Sequence, residues 1–127
     1  MKQYSSFQAL PGLNVNGELT LGENIADNSG LEIAHKAYLL SLRKAKGKGP
    51  VIDGTTADQR FFYGYAQSWR GKVRPEALLA QIKSDPHAPD EFRVTGAVRN
   101  MPSFYSTFKV KPKDKMYLAP KDRVSIW

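Results

Sequence analysis

The chain has 127 residues, 41% of them hydrophobic and 24% charged, with a net charge of +7 and no cysteine. That is room for one domain with a core of its own. The absence of cysteine excludes disulfides, thiolate metal sites and cysteine nucleophiles, and no apolar run approaches the ~20 residues of a helical membrane span. The positive charge is spread along the chain. Its densest cluster, Arg43 to Lys48 ahead of Gly49-Pro50, reads as a solvated helix end, where cations also suit the helix dipole. That argues against a nucleic-acid surface.

Residues 1–18 read as a passage that packs onto something else. Phe7, Leu10, Leu13 and Val15 alternate with polar residues, and Pro11-Gly12 and Asn16-Gly17 mark turns. Thr20 opens a long helix, because Thr20-x-x-Glu23 has the spacing of a capping box. Apolar residues continue to Leu42, and Gly47 and Gly49-Pro50 stop the helix. On a helical wheel, Asp27, Gly30, Ala34, Ala37, Tyr38 and Ser41 fall within about 60° of Glu23. Asn28, Glu32, His35, Lys36 and Arg43 fall opposite. The expectation is a buried stripe of small residues that carries Glu23 and Asp27, with His35 at the surface.

Thr56-x-x-Gln59 is a second capping box, leading into an aromatic helix with Phe61, Phe62, Tyr65 and Trp69 at helical spacing. Arg74-Pro75-Glu76 restarts a helix with proline in its first turn. Asp85-Pro86-His87-Ala88-Pro89 is a loop stiffened by two prolines. Phe92 to Val98 alternates apolar and polar residues, which predicts a short extended arm. Met101-Pro102 starts a last helix that Pro112 closes, and the terminal Trp127 is large enough to be docked. The expected fold class is mainly α, with helices and one short extended arm.

Two carboxylates four residues apart on one helix face, Glu23 and Asp27, are the strongest candidate chemistry. Buried and ionised, they need partners. The bland reading of Glu23 is a capping-box glutamate, and it leaves Asp27 unexplained. Of the two histidines, His35 follows Glu32 at half a metal motif but on the wrong face. His87 sits in the stiff loop six residues before Arg93, where a fixed donor suits stabilisation of an oxyanion. Trp69 reads as core on periodicity and as pocket wall otherwise. A catalytic zinc needs about three protein ligands. The chain has no His-Glu-x-x-His motif, no Gly-rich phosphate loop and no Gly-x-Ser-x-Gly elbow. It offers one carboxylate ligand and no complete metal site.

LTLGENIADNSGL at Leu19–Leu31, AQSWRGKVRPE at Ala66–Glu76, DPHAPDEFRVTGAVRN at Asp85–Asn100 and the Ile126-Trp127 end together resemble the C-terminal part of the neprilysin-like zinc metallopeptidases. This is the family of neprilysin, endothelin-converting enzyme and the bacterial oligopeptidase O. The resemblance runs over essentially the whole chain. It implies the C-terminal part of a zincin-type, thermolysin-like catalytic domain, with residues 1–127 as a single segment lacking the upstream His-Glu-x-x-His helix. It also implies roles. Glu23 matches the third zinc ligand, and Asp27 the carboxylate that orients a zinc-binding histidine. His87 matches the histidine that stabilises the tetrahedral intermediate, and Arg93 the arginine that holds substrate carbonyls. Ser68 and Trp69 match positions lining the S1′ pocket.

The implied activity is zinc-dependent hydrolysis of peptides. The segment alone is expected to be inactive, because the general base and two zinc ligands lie outside it. Vertebrate relatives carry cysteines near Arg70, Val110 and the C-terminus, and their absence points to a bacterial member. Its expected location is the cell envelope, the periplasm or outside the cell, with the cytoplasm as the alternative. The expected partners are peptide substrates, the remaining part of the same enzyme and a second copy meeting the Glu23 face. A non-catalytic binding or structural module built on the same fold is the competing reading.

Overall fold

The computed structural model describes every residue except Lys46, Lys48 and Trp127. The expected docking of Trp127 therefore lies outside the described residues. The chain begins with one turn of helix, α1 (Lys2–Ser5), and a small antiparallel hairpin of β1 (Gln8–Leu10) and β2 (Leu13–Asn14). Gly12 takes the positive φ that the tight connection requires. This passage is anchored as its apolar residues suggest. Tyr4 and Val15 are buried with Ala88, and the Phe7 ring stacks on Phe92 at 4.9 Å.

The long helix, α2, spans Leu21–Lys44. Its start differs from the capping box expected at Thr20. No side-chain cap forms. The buried Thr20 hydroxyl instead donates to the Asn16 carbonyl and accepts from Asn24, both at 2.9 Å. Glu23 is thereby released from any capping duty.

The buried seam of α2 also differs from the expected stripe. It runs through Asn24, Leu31 and His35, flanked by Asn28 and Tyr38, about a quarter-turn round from Glu23. Gly30, Ala34 and Ala37 are exposed, together with Ile33. His35 is not a surface residue. It is only 8% exposed, with its ring 5.0 Å from Phe61 and 5.8 Å from Phe62. Polar side chains on the seam disguised it. Asn24 is bonded to Thr20, and His35 is wrapped in aromatic rings, so both are tolerated where a wheel would place them outside.

α3 (Ala57–Ser68) starts with the expected capping box: Gln59 N–H donates to the Thr56 hydroxyl, and Thr56 N–H to the Gln59 side chain. α4 (Pro75–Ser84) starts on Pro75 and buries Ile82. Residues 92–98 are not an extended arm. They form α5 (Asp90–Val98), with Asp90 and Glu91 in its first turn and Pro89 at its N-cap. Thr and Val alternation gives way here to tertiary packing against α2. Gly96 lets the Tyr4 ring lie against the helix: a methyl group there would sit 2.5 Å from the ring carbon that bears the hydroxyl. α6 (Pro102–Phe108) follows, closed by Lys109 in the left-handed conformation, earlier than Pro112. Phe62, Val98, Met101, Phe104 and Tyr105 build the core between α3, α5 and α6. The tail returns through a 3₁₀ turn (Pro120–Asp122) and is tied back where Val124 N–H donates to Asn100 and Arg123 stacks on Tyr105.

Two outcomes follow from this packing. Gly96→Ala should destabilise the chain by about 1–2 kcal/mol in urea unfolding, since the Tyr4 clash outweighs the better helix propensity. Burial lowers the His35 pKa from its ordinary 6.5, against an opposing pull from Asp58. The fold therefore favours the neutral ring. Below pH 6.5 the unfolded chain binds a proton that the fold resists, so stability should be full above that pH and fall as pH drops through it. Urea titrations at pH 7.5 and 5 should show this loss, and His35→Phe should reduce it.

Candidate active site

The first turns of α2 and α5 and the loop before α5 bring together Glu23, Asp27, His87 and Arg93. Asp27 and Glu23 project from adjacent turns of α2, at the border between its buried seam and its exposed stripe. Arg93 rises from the first turn of α5. Its Nε donates to one Asp27 oxygen and its Nη2 to the other, each at 2.7 Å. Both side chains are nearly buried, at 12% and 9% exposure. Such a bidentate pairing fixes the plane of the guanidinium as well as its charge. Hydrogen bonding to Asp27, and then the charges of Asp27 and Glu23, raise the Arg93 pKa against the cost of burial, so it stays protonated.

Glu23 is more open, at 39% exposure. Its Oε2 lies 3.3 Å from His87 Nε2 and 3.8 Å from Arg93 Nη2. His87 is held from behind by Asp85. One Asp85 oxygen accepts from the His87 backbone N–H and contacts Nδ1 of the ring, both at 2.8 Å. A carboxylate can only accept, so Nδ1 carries the hydrogen and Nε2 faces Glu23. The backbone bond and then the ring bond from His87 hold the Asp85 carboxyl below its usual range. Gln81 donates to the His87 carbonyl and steadies the loop further.

Trp69, at the C-terminal end of α3, lies against the same cluster. The Arg93 guanidinium carbon sits 3.9 Å from the centre of its ring. Trp69 is only half-buried, so it stands at the wall of the site. Ser68 is exposed, and its hydroxyl donates back to the Tyr65 carbonyl on its own helix. The structure thus gathers Glu23, Asp27, His87, Arg93 and Trp69, and leaves Ser68 turned to its helix. Sequence reasoning missed Asp85. The Asp-Pro-His spacing could have found it, since an aspartate two residues before a residue commonly binds that residue's backbone N–H.

The arrangement is a small charged cluster open to solvent on one side. It holds one half-exposed carboxylate, a histidine with an oriented Nε2 and an immobilised guanidinium. Zinc in a catalytic site takes about three protein ligands. Among the described residues no three His, Asp or Glu side chains are grouped to hold a metal ion. Glu23 faces the Arg93 guanidinium and the His87 ring, so this chain supplies one donor of the right chemistry and does not by itself fit the metal.

A mainly helical scaffold that gathers two carboxylates, a histidine and an arginine beside a tryptophan is what this geometry describes. The profile of Peptidase family M13 matches residues 1–124, and the chain belongs to that family. It is 44% identical to human membrane metallo-endopeptidase-like 1 over 116 residues, which is 90% of this chain and 14% of that protein. It is 39% identical to mouse endothelin-converting enzyme 1 over 129 residues, covering 100% of this chain and 16% of that protein. The inhibitor-bound crystal structure of the Mycobacterium tuberculosis zinc metalloprotease Zmp1 matches 99% of this chain and 20% of its own at a TM-score of 0.93 and 45% identity. The chain therefore spans about a sixth of the curated relatives' length.

The ion pair gives a direct outcome. Asp27→Asn keeps the shape but leaves Arg93 charged and nearly buried without its partner, which should cost about 3 kcal/mol in urea unfolding. Glu76→Gln, an exposed position on α4, should change stability by less than about 0.5 kcal/mol.

Proposed function

We propose that residues 1–127 are the C-terminal catalytic-domain segment of a zinc-dependent metalloendopeptidase that hydrolyses peptides. The observation that carries this reading is the meeting of Glu23, His87 and Arg93 around one carboxylate oxygen. These are residues that the motif resemblance treats as ligand, oxyanion stabiliser and substrate clamp, and they come from separate stretches of sequence. In the whole enzyme Glu23 is one zinc ligand. The remaining ligands and the general base come from sequence beyond this chain. The chemistry zinc supplies when bound in such a site is polarisation of a carbonyl and a lowered pKa of bound water.

The residues of this chain do the rest of their work around that centre. Asp85 keeps the His87 ring turned so that Nε2 points into the site, where the doubly protonated ring can donate to a developing oxyanion. Arg93 uses two of its five N–H groups on Asp27 and turns others toward a peptide carbonyl. In this reading Asp27 does two jobs: it clamps Arg93 and stays one helical turn from Glu23, within reach of a histidine ligand from the other half. Trp69 forms the pocket wall for the substrate side chain that follows the scissile bond, and Ser68, whose hydroxyl is turned to its own helix, adjoins it.

The exposed stripe of Gly30, Ala34 and Ala37 is the face on which the other half of the site packs. In isolation it is the face for self-association, and light scattering should show dimers that Ala34→Glu disrupts. No described helix is long and apolar enough to cross a membrane. Matching relatives include the neutral endopeptidase of Lactobacillus helveticus, and a bacterial enzyme of the cell envelope, periplasm or exterior is the proposed setting.

The test has two parts. The 127-residue chain alone should bind zinc weakly and leave a quenched peptide uncut. Tight one-to-one zinc with chelator-sensitive cleavage would contradict the reading. In a chimera where this chain replaces the matching segment of the mycobacterial relative, Glu23→Ala should remove zinc and activity together. His87→Ala should cut kcat by roughly 100- to 1,000-fold while zinc remains bound.

A further inference from the structure

The core that α3, α5 and α6 build is open along one side. Between these helices and the loop after α6 runs a groove of about 440 Å³. Ala66, Val94, Phe104, Phe108, Val110 and Met116 are among its lining, so its floor is apolar. Tyr63, 46% exposed, stands on its α3 bank. The groove begins beside the site already described: Ala66 lies about one helical turn before Trp69, and Val94 follows Arg93 in the chain. An exposed apolar surface rimmed by polar residues marks a place where something binds.

The bank opposite α3 is the loop over residues 109–116. It carries Lys109, Lys111, Lys113 and Lys115, all exposed, while Val110 and Met116 between and beyond them line the groove. Among the described residues none of these four lysines has an ion-pair partner. The one carboxylate of the loop is already committed: Asp114 accepts from the Lys111 backbone N–H at 2.7 Å and holds the turn. The bank is therefore positive and uncompensated. Its complement is a chain that carries an apolar residue next to carboxylates. A bilayer fits it less well, because membrane contact needs apolar side chains that protrude, and here they are recessed in a groove.

We propose that this groove is a second binding site for peptide substrates: an apolar substrate residue seats on Val94, Phe104 and Phe108, and acidic residues beside it meet Lys111 and Lys115. This rests on the reading of the chain as part of a peptidase. Val94 to Val98 is one helical turn, about 6 Å, which an extended peptide covers in about two residues. The acidic stretch thus lies a few residues away from the one held at Trp69. Charge at the rim selects acidic peptides over neutral ones without touching the reacting bond.

The probes are a fluorescent peptide Phe-Leu-Gly-Glu-Asp-Glu and its neutral counterpart Phe-Leu-Gly-Gln-Asn-Gln. Anisotropy with the 127-residue chain should show binding of the acidic peptide that weakens as salt rises from about 50 to about 500 mM. Lys109 and Lys113 hold positive φ, so the variant leaves them in place. Lys111→Glu combined with Lys115→Glu should weaken binding roughly tenfold, the scale of two exposed charge pairs turned from attraction to repulsion. Lys121→Glu, at an exposed lysine of the 3₁₀ turn, should change it by less than about twofold. Equal binding of the neutral peptide, or undiminished binding by the charge-reversed chain, overturns the proposal. So does binding to phosphatidylserine vesicles without binding to the peptide. In the chimera, with each sequence joined to a cleavable segment, charge reversal should lower kcat/KM for the acidic substrate by roughly tenfold and leave the neutral one unchanged. Kinetics that ignore the reversal overturn the substrate-binding role. Peptide binding by the chain, together with a zinc-loaded chimera that cleaves neither substrate, upholds the groove as a site for acidic peptides and overturns the peptidase reading.

Discussion

The two hydrogen bonds between Asp27 and Arg93 fasten the start of α2 to the start of α5, 66 residues further along the chain. Two opposite charges this close to full burial are stable only together. Each would bear a large desolvation cost alone, and a bidentate geometry satisfies both carboxylate oxygens at once. Among the described residues the most extensive helix–helix packing is α2 against α5, and that pair lies within it. Tyr4 also packs on α5, where Gly96 makes the space for its ring, and the Phe7 ring stacks on Phe92.

Once α2 and α5 are fastened, the polar side chains around them fall into a row. His87 lies between Asp85 and Glu23, and Arg93 lies between Glu23 and Asp27. His87 and Arg93 are each flanked by two carboxylates, so every member is oriented by its neighbours. The two ends differ in character. Asp27 and Arg93 are nearly buried, whereas Glu23, Asp85 and His87 are roughly 40% exposed. The buried end supplies rigidity, and the open end leaves its groups within reach of solvent. A site built this way is preorganised without being closed.

The local rules succeeded where one short stretch decides the outcome. The Thr56 capping box, the prolines that start α4 and α6, and the stiff loop around His87 are each set by a few adjacent residues. The same rule failed at Thr20, because Asn24 and the Asn16 carbonyl compete for the same hydroxyl and win it. Alternation failed over residues 92–98 because packing against a neighbouring helix overrode the preference of Val and Thr for strands. The wheel for α2 failed in an instructive way. It scores Asn and His as surface residues, yet Asn24 and His35 are buried with their own polar and aromatic company. The true seam was a quarter-turn away, and the two carboxylates sit on its flank.

By itself the sequence determined the spacing of Glu23 and Asp27 on one helix face, the rigidity of the His87 loop and the motif series that places the chain in its family. These are matters of adjacent residues and need no knowledge of what touches what. Tertiary structure alone decided that Arg93 clamps Asp27, that the His87 ring meets Glu23, and that Trp69 lies under the Arg93 guanidinium. Each is a contact across a fold, between residues whose separation in the chain carries no signal of their meeting. Geometry and desolvation select such partners only after the helices have packed.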